Sequence, residues 1–402
     1  MDIIRRSAPA IWLLVLVSSI LMALTLPFGG DAKVYENTVK EVRSGISPYA
    51  SGIARLQLRH ARNEAGRTMN YIYPPMTLPL VRAIGDEPAW LRTSAFWSIY
   101  MVGIWLLLRT EEVFLNKNER KFFLALSPIC VFFPGLLNDD FLLAGNIAPI
   151  LYGLVCAAAI WDWKHNQWKW FYMAVLFAAI FKAPMLTLLA IPVFTSVGEW
   201  LKATVTGLTG CVLILFQGLI WPEALHTYIQ MMNLEFAYNQ EFGFGPAGML
   251  GKILIDRGIP FLPGYCMMYL VSSIIIFLLL LSLSRHFKAG RLSTQDWMPV
   301  LLVGVILLSP RIKQYDAEAI TLPMAVIAWR TVVERTRGKR QAVLLSIALF
   351  AVGNVFVAFA NAYDFVETLL MVALFSHAAW NLHQKVAHAL EETDAVAELL
   401  HA

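Results

Sequence analysis

A carboxylate, a group of tyrosines and three cations set far apart are the residues of this chain best suited to chemistry. Asp31 directly follows an apolar run, in Gly30-Asp31-Ala32-Lys33-Val34-Tyr35. Two aromatic-proline turns come next, Gly45-Ile46-Ser47-Pro48-Tyr49 and Tyr71-Ile72-Tyr73-Pro74-Pro75. A carboxylate walled by aromatic rings, where an apolar segment ends, can take a proton from a hydroxyl as that hydroxyl attacks a substrate. Asp is also a preferred helix N-cap, and one of its oxygens can cap while the other faces a cavity. The tyrosines have a plainer use too, since Pro fixes turns and Tyr anchors at the headgroup level of a membrane. The joint occurrence of both turns after Gly-Asp is the more specific signal.

Much later, Leu308-Ser309-Pro310-Arg311-Ile312-Lys313-Gln314-Tyr315-Asp316 sets two cations two residues apart at the end of an apolar run. Arg forks onto phosphate oxygens and Lys supplies a point charge, so Arg311 and Lys313 suit a phosphate clamp. Headgroup snorkelling is their structural alternative. Lys182, in Phe181-Lys182-Ala183-Pro184, lies between short apolar segments, where charges are costly and usually functional. Asn138-Asp139-Asp140 and Gly145-Asn146 mark a turn whose paired carboxylates could hold a divalent ion, orient sugar hydroxyls or simply cap helices in solvent. His60, His226 and His377 lack ligand spacing, and there is no GxGxxG or Walker pattern. No metal site and no soluble nucleotide-binding fold is read from them.

The elements that must position these groups are membrane helices. The 402 residues are 58% hydrophobic and 15% charged, with a mean hydropathy of +0.60. A soluble domain carries about 25% charged residues. The expected class is an all-α polytopic membrane protein forming a single membrane domain over 1–402. At ~20 residues per span there is room for about ten to twelve spans. Apolar segments lie near 9–28, 91–108, 121–137, 146–163, 169–182, 184–198, 203–221, 263–284, 297–309, 316–331, 341–360 and 365–382. The first run follows Arg5-Arg6 and ends without a small-x-small cleavage site, so a retained first helix is expected rather than a signal peptide. The net charge of +4 is small and the basic residues are scattered, which argues against a nucleic-acid partner. Cys130, Cys156, Cys211 and Cys266 sit in apolar runs and read as small buried hydrophobes.

Lys and Arg in short loops set the orientation. Arg5-Arg6, Arg109 with Lys117, Arg120 and Lys121, Lys164 with Lys169, Arg285 with Lys288 and Arg291, and Arg330 through Arg340 fall on one side, read as cytoplasmic. Both termini, including a polar helical tail over 383–402, belong to that side of the cell inner (plasma) membrane. The segments 29–90 and 222–262 become outer loops, and Arg311 with Lys313 breaks the charge rule on the outer face. Val34, Tyr35, Thr38, Val39 and Val42 recur at helical spacing before Gly45, predicting an interfacial helix over 32–44. A second, basic helix is predicted over 51–63. The second loop holds His226, Tyr228, Asn233, Glu235 and Gly243-Phe244-Gly245-Pro246. No repeat of fixed period and no inverted halves of the transporter kind are found.

Gly30-Asp31 with Tyr35, Gly45-x-Ser47-Pro48-Tyr49 and Tyr71-x-Tyr73-Pro74-Pro75 resemble the first outer loop of polytopic glycosyltransferases of family 87. That family has the GT-C membrane fold and includes polyprenyl-phosphate-mannose-dependent mannosyltransferases. Gly145-Asn146-Ile147-Ala148 is similar to the family's Gly-Gln-x-Asn turn, Phe181-Lys182-Ala183-Pro184 to its Lys-x-x-Pro turn, and Leu308-Ser309-Pro310 to its late Ser-Pro segment. The resemblance runs from about residue 29 to 325. The chain departs from it at Asn146, and at Arg311-x-Lys313 where mannosyltransferase relatives tend to carry Trp and His.

The resemblance implies a sugar, mannose or another hexose or pentose, carried by a polyprenyl-phosphate donor to a lipid-linked or surface glycan acceptor. Asp31 would be the base of an inverting displacement. Lys182, Arg311 and Lys313 would stabilise the leaving phosphate. Tyr35, Tyr49, Tyr71 and Tyr73 would shape the cavity and stack on the sugar; Asp139, Asp140 and Asn146 are further substrate-binding candidates on their residue types. A monophosphate leaving group neutralised by cations requires no metal, and no cofactor is implied. A flippase or transporter for lipid-linked sugars is the alternative of a different class. It would carry paired broken helices and polar groups near mid-membrane. A polymerase or ligase of surface glycan would share the donor class.

Overall fold

The structure, a computed structural model, describes residues 29–64, 68–117, 119–120, 145–239, 242–243, 245–330 and 363–401. The apolar segments near 9–28, 121–137 and 341–360, and the pair Asp139 and Asp140, lie outside the described residues. The described residues are helical, with no strand among them.

The segment 29–90 folds as α1 (Gly30–Arg43), α2 (Pro48–Ala61) and α3 (Leu78–Gly85). The bounds of α1 match the helical spacing. Gly45 follows as the stop, and Ile46 N–H returns to Glu41 O at 2.9 Å. Helix α2 starts three residues before the predicted 51, because Ser47 caps it, accepting from Ala50 N–H, and Pro48 suits the first turn.

The apolar segments follow as α4 (Ala89–Leu108), α5 (Ala148–Lys164), α6 (Lys169–Phe181), a 3-10 stretch (Ala183–Leu189) with α7 (Ala190–Thr195), and α8 (Trp200–Ile220). The segment 222–262 is itself helical, as α9 (Pro222–Tyr238) and α10 (Pro246–Asp256). Then come α11 (Phe261–Lys288), α12 (Thr294–Leu307), α13 (Thr321–Ala328) and α14 (Tyr363–His401). The 383–402 tail is therefore no separate element: α14 runs on from the last apolar segment, with no Gly or Pro between 363 and 401 to interrupt it.

Three stretches among the described residues, Ala89–Phe114, Trp200–Ile220 and Phe261–Lys288, are long and apolar enough to cross a membrane. Their outward faces carry Leu208, Val212, Leu215, Leu270 and Ile274, all exposed. Such surfaces are consistent with a membrane protein, whose solvent is lipid. Cys211 and Cys266 lie on these exposed faces, while Cys156 is half-buried. The expectation of buried thiols fails for those two, because an apolar run in a membrane helix has a lipid side as well as a core side.

Helices α4 and α5 meet backbone to backbone. A Cβ on Gly103 would lie 2.7 Å from Pro149 O, and one on Gly153 would lie 2.5 Å from Gly103 O. Small residues permit this approach where helices pack in lipid. The contact fixes how α5, 17 residues and about 25 Å long, stands in the bundle. At one end of α5 lies Asn146. At the other, Lys164 pairs with Glu112 at 3.1 Å. Nearby, Arg330 forks onto Glu119, with both bonds at 2.8 Å, and donates to Phe114 O at 2.9 Å.

Gly153→Leu forces a side chain into the main chain of α4. Its melting midpoint in detergent is expected to fall by the equivalent of roughly 1–3 kcal/mol or more. Leu208→Ala on the exposed face should stay within about 0.5 kcal/mol of wild type. Superimposable melting curves for Gly153→Leu and wild type would contradict the close approach.

Candidate functional site

Asp31 sits in the first turn of α1, but it does not cap the helix; Gly29 holds the cap position without a side-chain bond. The carboxylate instead turns toward α5. Asn146 Nδ2 donates to Asp31 Oδ2 at 2.7 Å, while Asn146 Oδ1 accepts from Ala148 N–H at 2.9 Å. The amide thus ties itself to the first residue of α5 with one atom and holds Asp31 with the other. Gly145 makes this possible. It has a φ of +70°, and a Cβ there would come within 3.1 Å of Ala32 Cβ and 3.0 Å of Trp97. Only Gly takes that backbone at so close an approach.

Tyr35, one turn beyond Asp31, accepts from Ile147 N–H at 3.1 Å and shares a hydrogen bond with Tyr73 OH at 2.8 Å. The rings of Tyr35, Tyr73 and Tyr71 follow one another at 5.8 and 5.3 Å. Tyr71 OH bonds Thr77 Oγ1 at 2.7 Å, and Thr77 donates to Pro74 O at 2.6 Å. Tyr49 OH donates to Tyr73 O at 2.8 Å, and its side chain has no exposed surface. Tyr49 therefore braces the wall from behind and has no face open to a ligand. Tyr35, Tyr71 and Tyr73 also line an apolar cleft of about 170 Å³, with Phe96, Trp97 and Phe181. Arg92 closes its rim on Glu36, with bonds of 3.1 and 2.7 Å.

The cations arrive from two chain breaks. Helix α6 ends at Phe181 because Pro184, two residues after Lys182, cannot continue its hydrogen-bond ladder. Lys182 is left extended, at φ −138° and ψ 94°. Its Nζ donates to Asp316 Oδ1 at 2.8 Å and lies 3.9 Å from the centre of the Tyr315 ring. Helix α12 ends before Pro310, and a turn carries Arg311 and Lys313 into Gln314–Ala317. Asp316 Oδ2 reaches back to Lys313 N–H at 2.8 Å, the second half of a capping box. Tyr152 OH from α5 also donates to Asp316 Oδ1, at 3.1 Å. The Arg311 guanidinium sits over Phe236 of α9, 5.6 Å from the ring centre.

Residues 31, 35, 73, 146, 182, 311 and 313 thus converge, although they come from separate parts of the chain. The charges of Lys182 and Lys313 are felt at Asp31, and that of Arg311 at Lys182 and Tyr315. Tyr49 and Tyr71 stand one layer back. Asp316 and Tyr152 are central to the arrangement; Asp316 closes the Leu308–Asp316 segment singled out for its cations but had no role of its own there, and Tyr152 belongs to no motif singled out in the sequence. The available signal for Asp316 was its place three residues after Lys313, the spacing of a capping box.

Asp31 sits deep among neighbouring atoms yet keeps part of its surface open. Burial raises its carboxyl above the ordinary range, while the Asn146 hydrogen bond and the charges of Lys182 and Lys313 pull it back down. The net rise makes it a stronger base than a free carboxylate. Burial likewise pushes the phenols of Tyr35 and Tyr73 far above their usual value, so both stay protonated. A partly open, raised carboxylate beside a tyrosine wall and within the field of cations can accept a proton while an anion is held nearby.

Comparison with known proteins returns no match, whether to a family model, a curated protein or a solved structure.

The raised carboxyl has a consequence for stability. The folded protein holds the Asp31 proton more tightly than the unfolded chain, so ionisation costs stability. That cost is absent below the unfolded value of about 3.9 and complete above the folded value. Asp31→Asn is therefore expected to melt higher than wild type at about pH 8, with the gap closing toward about pH 4. Melting scans at the two pH values check this. An equal gap at both would show that burial of the charge is not the cause.

Proposed function

We propose that the chain is an integral membrane glycosyltransferase. It moves a sugar from a polyprenyl-phosphate-linked donor to a lipid-linked or glycan acceptor, with Asp31 as base. The observation that carries this reading is the convergence of Asp31, Asn146, Lys182, Arg311 and Lys313 on one tyrosine-walled centre. A base and a cluster of cations facing one another suit displacement of a phosphate. The resemblance to family 87 in the 29–90 segment adds the sugar and the polyprenyl carrier. With it come a GT-C fold of about twelve spans and a centre on the outer face of the plasma membrane, both termini being cytoplasmic.

In the proposed reaction the acceptor oxygen attacks the anomeric carbon from the face opposite the phosphate. Its proton passes to an Asp31 oxygen. The carbon–oxygen bond to phosphate breaks, the electron pair leaves with the phosphate, and the anomeric configuration inverts. Arg311 and Lys313 hold the phosphate as its charge grows. Lys182 shares its charge with Asp316 and contributes less. The Asn146 amide keeps the second Asp31 oxygen in place.

Purified protein incubated with polyprenyl-phosphate-sugars and lipid acceptors is expected to transfer sugar. The rate should rise with pH through the raised value of Asp31. Asp31→Asn should lower kcat by about 10²–10⁴-fold, the usual contribution of a general base. Equal transfer by the two proteins would remove Asp31 from the chemistry. Sugar-lipid translocation in vesicles, with no transfer from any donor, would replace the reading with a flippase.

Arg311→Ala deletes a charge-assisted contact worth about 1.5–3 kcal/mol. Donor KM should rise about 10- to 100-fold while the melting midpoint barely changes. An unchanged donor KM would rule out the phosphate clamp.

A further inference from the structure

Lys182 lies between two carboxylates. Asp316 Oδ1 is 2.8 Å from its Nζ, and Asp31 feels its charge. Asp316 is almost fully buried and makes several bonds at once: to Lys182, to Tyr152 OH and to the main-chain N–H of Lys313. It is thereby tied to α5, to the break after α6 and to the turn after α12. A lysine ammonium on its four-carbon stem goes wherever a partner holds it. Here the partner that holds it is the carboxylate remote from the base.

We propose that Asp316 is a positioning residue that keeps the Lys182 ammonium on its own side of the site and so leaves Asp31 free to act as a base. The catalytic meaning rests on the transferase reading; the coupling of the two carboxylates rests on the Lys182–Asp316 ion pair and on the charge of Lys182 that reaches Asp31. Without the Asp316 charge, Asp31 is the other carboxylate whose charge reaches the ammonium. An ion pair there stabilises the ionised form and weakens the base. The other groups around the three side chains stay in place. Asn146, Lys313, Tyr35, Tyr73 and Tyr315 face Asp31, and Arg311 and Tyr315 face Lys182. Tyr152, Tyr315 and the Lys313 N–H face Asp316.

Asp316→Asn removes the charge, keeps the shape and retains an acceptor oxygen for Tyr152. Infrared difference titration of the full chain in lipid nanodiscs follows the Asp31 carboxyl band, assigned by its loss in Asp31→Asn. In Asp316→Asn the Asp31 midpoint is expected to fall by about one pH unit, a tenfold loss of proton affinity. In sugar transfer, the acid limb of the pH profile should move down with it. On the plateau above that limb kcat should drop by up to about tenfold, with donor KM within about twofold of wild type. Asp316→Glu restores the charge and should keep the wild-type midpoint.

An unmoved midpoint in Asp316→Asn overturns the proposal, as does a midpoint displaced by a full unit in Asp316→Glu, whichever way the amide variant folds. If wild type transfers no sugar, the transferase reading fails and the infrared midpoints still decide the coupling. If wild type transfers sugar and the Asp316→Asn midpoint stays put, the coupling alone fails.

Discussion

The ion pair between Lys182 and Asp316 is the interaction on which the arrangement of this protein's centre depends. Both side chains are largely buried, with 14% and 7% of their surface exposed. An isolated charge at such a place is expensive, and removing one partner of a buried pair typically costs about 3–5 kcal/mol. The pair survives because each end is further satisfied. The ammonium lies over the Tyr315 ring, and the carboxylate accepts from Tyr152 and from the Lys313 main chain. Two proline breaks, at Pro184 and Pro310, are what bring these residues out of regular helix and within reach of one another. Without the breaks, neighbouring side chains would be set only by helical spacing, and the lysine could not meet the aspartate.

A second constraint acts from the other side of the centre. The contact of α4 with α5 through Gly103 and Gly153 sets where Asn146 stands, and Gly145 lets α1 close over it. Asp31 is thereby held by a neutral amide rather than by a cation. A cation in that place would have lowered its proton affinity; an amide fixes its direction with less effect on its charge. The carboxylate stays costly to ionise, and the same burial that disfavours its charge sharpens it as a base. Stability and the proposed chemistry oppose each other at this one side chain, as is common where charged groups are tuned by burial.

The fold was legible in the sequence to the extent that it follows from local pattern. Among the described residues the long apolar runs are helical, with Gly45 marking a boundary as its backbone requires. The spacing of Val34, Tyr35, Thr38 and Val39 predicted α1 closely, because an amphipathic repeat has one helical solution. Less legible was the extent of α14, since a change from apolar to polar composition does not by itself end a helix. The burial of Cys211 and Cys266 was misread for a related reason. Hydropathy reports that a segment suits lipid and is silent on which of its faces meets lipid and which meets protein.

The sequence alone determined the residue types and the local geometry. It placed a carboxylate beside a glycine and a tyrosine, prolines that break helices next to cations, and apolar length enough for lipid. Those properties reside in single residues and their near neighbours. Pairing was decided only by the tertiary structure. Asn146, rather than the end of its own helix, became the partner of Asp31, and Asp316 rather than an open cavity took Lys182. Tyr49 went behind the wall while Tyr73 went into it. Each of those outcomes joins positions from 24 to 134 residues apart, and electrostatic and packing energies at that separation depend on distances that no local pattern encodes.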